Sequence, residues 1–130
     1  RNNLYNHLDL LIKDASKSIN IMTTEKGFLR KVEGLRGSLE KAKKKGVKIR
    51  IAAPITKENK TTADSLKGLA EVKHNNKVNS RFVTVDGKDM VFMMLDDKDV
   101  HPSYDIGVWV KTPYFTTAMD NMFDQVWNMK

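Results

Sequence analysis

Apolar and polar positions alternate along this chain with two different periods, and the change from one to the other organises it. Leu4, Leu8, Leu11, Ile12 and Ala15 recur at helical spacing while Asn6, Asp9, Lys13 and Asp14 fall on the opposite face, which predicts a helix over 3–17. A short strand, SINIMT from Ser18 to Thr23, follows and ends at the polar Thr24-Glu25-Lys26-Gly27 loop. Phe28, Val32, Leu35, Leu39 and Ala42 form the stripe of a second helix that closes near Lys45. Lys43, Lys44 and Lys45 suit its negative end, and Gly46 sits where a left-handed terminator is wanted. Val47 to Ala53 then alternates apolar and basic residues until Pro54 stops it. Residues 59–70 read as a weaker helix buried through Ala63, Leu66 and Leu69 or Ala70.

Beyond residue 80 the texture becomes extended. Arg81 to Val85 and Met90 to Leu95 are two strands joined by Asp86-Gly87, a dipeptide suited to a tight hairpin. The second, MVFMML, is apolar without alternation, as a strand covered on both faces should be. Its methionines, with Met119 and Met122 further on, read as core filling more than as an adaptable binding surface. Tyr104 to Val110 predicts one more strand. Thr112 as N-cap and Pro113 at the first helical position then open a helix whose apolar face runs through Phe115, Met119, Met122, Phe123, Val126 and Trp127.

Helix–strand alternation followed by a hairpin predicts an α/β fold: a mixed β-sheet flanked by helices on both faces. Strands separated by a helix should run parallel. With 130 residues and no internal linker, repeat or low-complexity tract, a single domain over 1–130 is expected. The chain opens on Arg1 instead of methionine, so it is expected to be a piece of a longer polypeptide.

Composition narrows the function classes. There is no cysteine, so neither disulfides nor thiolate metal sites hold the fold. No apolar run approaches the roughly 20 residues that span a bilayer, and no export signal opens the chain, so a cytoplasmic protein with no membrane partner is expected. The net charge of +7 is unevenly placed. Residues 25–50 hold ten Lys or Arg against Glu25, Glu33 and Glu40, whereas residues 89–130 hold seven Asp against three Lys. The basic segment Lys41–Arg50 could attach to DNA through phosphates, but a solvated helix face explains it as well. His7, His74 and His101 show no metal-ligand spacing, and no Gly-rich phosphate loop or nucleophile elbow is present, so neither metal nor cofactor is expected.

The remaining candidate chemistry lies in Asn79, Arg81 and Asp86, followed by Gly87. Their spacing resembles the His-x-Lys-x-x-x-x-Asp motif of the phospholipase D superfamily, carried on a strand that leads into a hairpin. In those enzymes the histidine attacks phosphorus, the lysine stabilises phosphate charge and the aspartate supports the fold. Here Asn79 stands at the histidine position, and an amide nitrogen is not basic. Arg81 keeps the charge and can bind an anion bidentately. Asp86 keeps its place, though the turn it starts accounts for it equally well.

Four further stretches, in order, resemble the phospholipase-D-like effector domain of TrmB-type transcription regulators, a largely archaeal family. They are the opening helix into SINIMTT, SLEKAKKKGVKIRIAAP, SRFVTVDGKDMVFMML and DIGVWVKTPYFTTAMDNMFDQVW. The resemblance implies a non-catalytic sensor and dimerisation module: a homodimer with Asn79 and Arg81 near the interface, a small anionic effector, and DNA contacted by an upstream winged-helix domain that this chain does not contain. The competing class is a phosphodiesterase or nuclease using another nucleophile, such as His74 or His101.

Overall fold

The computed structural model describes residues 2–77, 79–94 and 106–129. Along the chain run α1 (Asn2–Lys13), β1 (Ser18–Met22), α2 (Glu25–Lys44), β2 (Lys48–Ala53), α3 (Lys60–Asp64), β3 (Glu71–His74), β4 (Phe82–Val85), β5 (Asp89–Met93), β6 (Gly107–Lys111) and α4 (Pro113–Trp127). The strands form one mixed sheet in the order β3-β2-β1-β4-β5-β6. β1 pairs with β2, and β2 with β3, in parallel; the pairs β1–β4, β4–β5 and β5–β6 are antiparallel.

The period of two along each strand decides which helix covers it. Ile19 and Ile21 on β1, Ile49 and Ile51 on β2, and Val83 and Val85 on β4 face α1 and α2, where Leu8, Ile12, Phe28, Leu35 and Leu39 complete the larger core. Met22, Ala52, Phe82 and Met90 point to the other face and meet Phe123, Val126 and Trp127 of α4. Helices therefore flank the sheet on both sides. β5 is buried on both faces, which is why its sequence lacks alternation.

Local signals set the boundaries. Thr24 caps α2, its Oγ1 accepting the Gly27 amide at 3.0 Å, so the helix begins three residues before the Phe28 start that the apolar stripe marks. Gly46 takes φ +90 and Gly87 φ +69, next to Asp86 at φ 58; the last two give the hairpin both positive-φ positions a primed turn needs. Thr112 and Pro113 open α4 as expected, but the Thr112 side chain makes no capping bond. Instead, one turn on, the Thr116 hydroxyl donates to the Lys88 carbonyl at 2.9 Å and ties the helix start to the hairpin.

Two expectations are corrected. The helix expected over 59–70 is only α3, and turns carry the chain on to Ala70; Leu66 is still fully buried, but Gly68 at φ +83 breaks the helical path. β3 was not anticipated, because at the sheet edge Val72 is the one apolar residue in EVKH and no alternation shows. The last strand begins at Gly107; Tyr104 and Asp105, like Leu95 and His101, lie outside the described residues.

Candidate functional site

β1 is where the sheet changes direction. On one side it meets β2, reached through α2; on the other it meets the antiparallel β4. Ligands of open α/β sheets commonly lie outside the carboxyl ends of the parallel strands. Met22 pairs with Phe82, so the next residues outward, Thr23 and Arg81, flank each other just beyond the carboxyl end of β1. The Met93 amide donates to the Arg81 carbonyl at 2.9 Å and carries the β4–β5 ladder one step further, fixing the backbone there. Alternation from Val83 and Val85 sends the Arg81 side chain to the α2 face. It is only 5% exposed.

A second cation reaches the same place from α2. Lys31 lies between Phe28 and Leu35 on the buried stripe, is 3% exposed, and donates from Nζ to Thr23 Oγ1 at 3.2 Å. Thr23 itself is 2% exposed. Gly27 closes the corner: a Cβ there would overlap Thr23 Oγ1 and stand 3.5 Å from Lys31 Nζ, so only glycine leaves the space open. The first turn of α2, with its positive dipole end, borders the same corner. Two buried cations, a hydroxyl and the start of α2 meet at this corner.

The surrounding loops are stitched together. Asn59, fully buried, accepts the Thr56 amide at 2.8 Å and donates to the Pro54 carbonyl at 2.9 Å. The Thr56 hydroxyl donates to the Glu25 carboxylate, joining this loop to the start of α2. The buried Asn75 donates its backbone amide to the Ala53 carbonyl at 2.9 Å, and its side-chain oxygen accepts the Lys77 amide. Asn79 is exposed two residues before Arg81.

Asp86 is elsewhere. Five residues of extended chain, about 17 Å, separate it from Arg81. Its carboxylate accepts the backbone amides of Ser16 (3.0 Å), Lys17 (2.7 Å) and Ser18 (3.0 Å), plus the Ser16 hydroxyl. Burial pushes this carboxyl up, but the Lys17, Ser18 and Ser16 donors outweigh it and hold it below the ordinary value of 3.8. The geometry therefore brings Asn79 and Arg81 to one end of β4 and Asp86 to the other, where it anchors the α1–β1 loop.

The described histidines are both committed away from Arg81. His74 Nδ1 accepts the Ile55 amide at 2.9 Å on β3, three strands and about 14 Å across the sheet from β4. His7 packs edge-on against Trp109, ring centroids 4.3 Å apart, beside β6. Among the described residues no group of three or more His, Asp or Glu side chains is placed to hold a metal. No described helix is long and apolar enough to cross a membrane.

Sequence reasoning missed Lys31 and Thr23. Lys31 is one of the ten cations of residues 25–50, yet its spacing of three from Phe28 and four to Leu35 places it on the buried stripe. That was the available signal.

The family model described as Transcriptional regulator TrmB, EBD N-terminal subdomain, matches residues 1–130. No curated protein matches the chain. Among solved structures, TrmBL2, described as an archaeal chromatin protein with a novel mode of DNA binding, is similar with a TM-score of 0.71 and 17% identity. The similarity covers 96% of this chain but 48% of that one, so this chain spans about half of TrmBL2. NucT from Helicobacter pylori is similar with a TM-score of 0.73 and 12% identity, over 97% of this chain and 88% of NucT. The sheet and its flanking helices are thus a phospholipase-D-like fold. The chain belongs to the TrmB family of transcriptional regulators, as its EBD N-terminal subdomain.

Proposed function

We propose that this domain senses a small anionic effector and pairs with a second copy, without catalysis, so as to bias the attached DNA-binding domains of a cytoplasmic TrmB-type regulator. The observation that carries the reading is the burial of Arg81 and Lys31 on either side of Thr23, just beyond the carboxyl end of β1. An anion arriving there would gain charge-assisted bonds in a low-dielectric corner. Asn79, at the position of the nucleophile in the superfamily motif, has no basic nitrogen, so the corner would bind a phosphate-like group without attacking it. Asn79 is exposed beside it and would lie near the subunit interface, while DNA is contacted by a domain upstream. Asp86 lies at the far end of β4, where it holds the α1–β1 loop.

The test is thermal denaturation against inorganic phosphate, with sedimentation velocity on the same samples. Phosphate at a hundred times its dissociation constant should stabilise by about 2.7 kcal/mol and raise Tm by on the order of 10 °C. Arg81→Ala should lose that rise while remaining folded and dimeric. An equal rise in Arg81→Ala, or a monomer at micromolar concentration, would count against the reading. Phosphodiester turnover abolished by His101→Ala but not by Asn79→Ala would favour the enzyme class instead.

A further inference from the structure

We infer that the outer edge of β3 is a docking site for an extended acidic segment of another protein, added as a seventh strand. The Asn75 amide is directed to Ala53 on β2, and alternation directs the amides and carbonyls of Val72 and His74 away from the sheet. Neither amide is used by the parallel β2–β3 ladder, whose bonds fall on the alternate residues. An open strand edge of this kind is a template for a further strand, and at four residues with Glu71 and Lys73 on it this edge suits a short, charge-matched segment.

The edge is flanked by space of the right shape. A groove of about 340 Å³ lies at the start of β3, and another of about 300 Å³ runs beside its end; Ala70, just before the strand, lines both. The floor of the second is Ile55, Ala63, Ala70 and Val72, small or half-buried apolar residues over which a backbone can approach closely. The rims are basic. Lys43 and Lys48 border one end and Lys60 and Lys67 the other, against Glu71 and Asp64. Asp64 is already within 3.9 Å of Lys60. Unpaired strand groups over an apolar floor favour a polypeptide over a nucleic acid, and the lysine excess selects acidic side chains on it.

The experiment uses two labelled eight-residue peptides, one alternating valine with glutamate and one alternating valine with lysine. Binding is read by fluorescence anisotropy and by hydrogen exchange of the Val72 and His74 amides. The glutamate peptide should bind and slow both amides, and the lysine peptide should bind at least tenfold more weakly. Val72→Pro removes an amide that serves no ladder bond, so it should abolish binding while sparing the β2–β3 pairing. Lys60→Glu with Lys67→Glu should weaken binding at least tenfold, and this pair decides the matter should the proline variant fail to fold. Absence of binding by the glutamate peptide, or binding that leaves the two amides unchanged, overturns the inference. So does duplex DNA displacing the peptide, or protection of the same amides by raising the protein concentration alone.

Discussion

Single residues hold this fold in ways their motif position does not reveal. Asp86 follows β4 at positive φ and takes three backbone amides of the α1–β1 loop on its carboxylate. Replacing it with alanine strands those donors and puts an alanine in the left-handed region, so Asp86→Ala should cost on the order of 2–3 kcal/mol in urea denaturation. Asp86→Asn keeps the turn geometry and should cost less. The direction of the pH effect follows from the depressed carboxyl. Because the folded value lies below 3.8, the stabilisation is fully present above about pH 4 and is lost as pH falls through the folded value. Asp9 adds to the same acid limb, lowered chiefly by the Ser38 hydroxyl and then by Lys13. A pH titration of stability should show a shallower acid loss in Asp86→Asn than in the parent; an identical slope would remove Asp86 as its source. At this scale the sequence showed the turn, since Asp-Gly has few other uses. It did not show the partner loop, which is 68–70 residues away in the chain and marked by no motif.

Between elements, the link most exposed to test is the docking of α4. A polar row crosses the sheet beneath this helix: Thr84, Asn20 and Arg50 are neighbours on β4, β1 and β2. Asp120 accepts from Asn20 Nδ2 at 3.1 Å and from the Thr84 hydroxyl at 2.5 Å, and Arg50 reaches Asp124 at 2.6 Å. Arg50 also covers the rings of Phe123 and Trp127, at 5.0 and 5.3 Å, and Lys73 caps Trp127 from β3 at 4.9 Å. Apolar contact and not charge should dominate the binding of the helix. Phe123, fully buried and stacked on Trp127, should cost about 3–5 kcal/mol when changed to alanine. Asp124 is half exposed, and Asp124→Ala should cost less than about 1 kcal/mol. Chemical denaturation of the two variants checks the order, and a reversal would mean that the ion pair holds α4. Elements with a strong stripe, α2 and α4, were legible in the sequence because burial wrote a 3.6-residue period into them. β3 and α3 were not. An edge strand with one half-buried apolar residue carries no period, and a single-turn helix is too short to show one.

The whole molecule is polarised. One end of the sheet gathers Arg81, Lys31 and the start of α2, while the exposed lysines at 41, 43, 44, 45 and 48 lie at the other end, where α2 stops and β2 begins. The two cation groups differ in kind: the first is buried and convergent, the second exposed and dispersed. A net charge of +7 therefore misdescribes the surface unless it is divided this way. The order of the resembling stretches was enough to indicate the family, while the chemistry of the site depended on Lys31, which only the packing of α2 against β1 brings beside Arg81. The most direct measurement of the central claim is an amide NMR titration of the domain with inorganic phosphate. Saturable shifts confined to Thr23–Gly27, Lys31 and Arg81–Phe82 are expected. Shifts spread over Lys41–Lys48 with none at Thr23 or Arg81 would contradict the claim and leave only diffuse surface attraction.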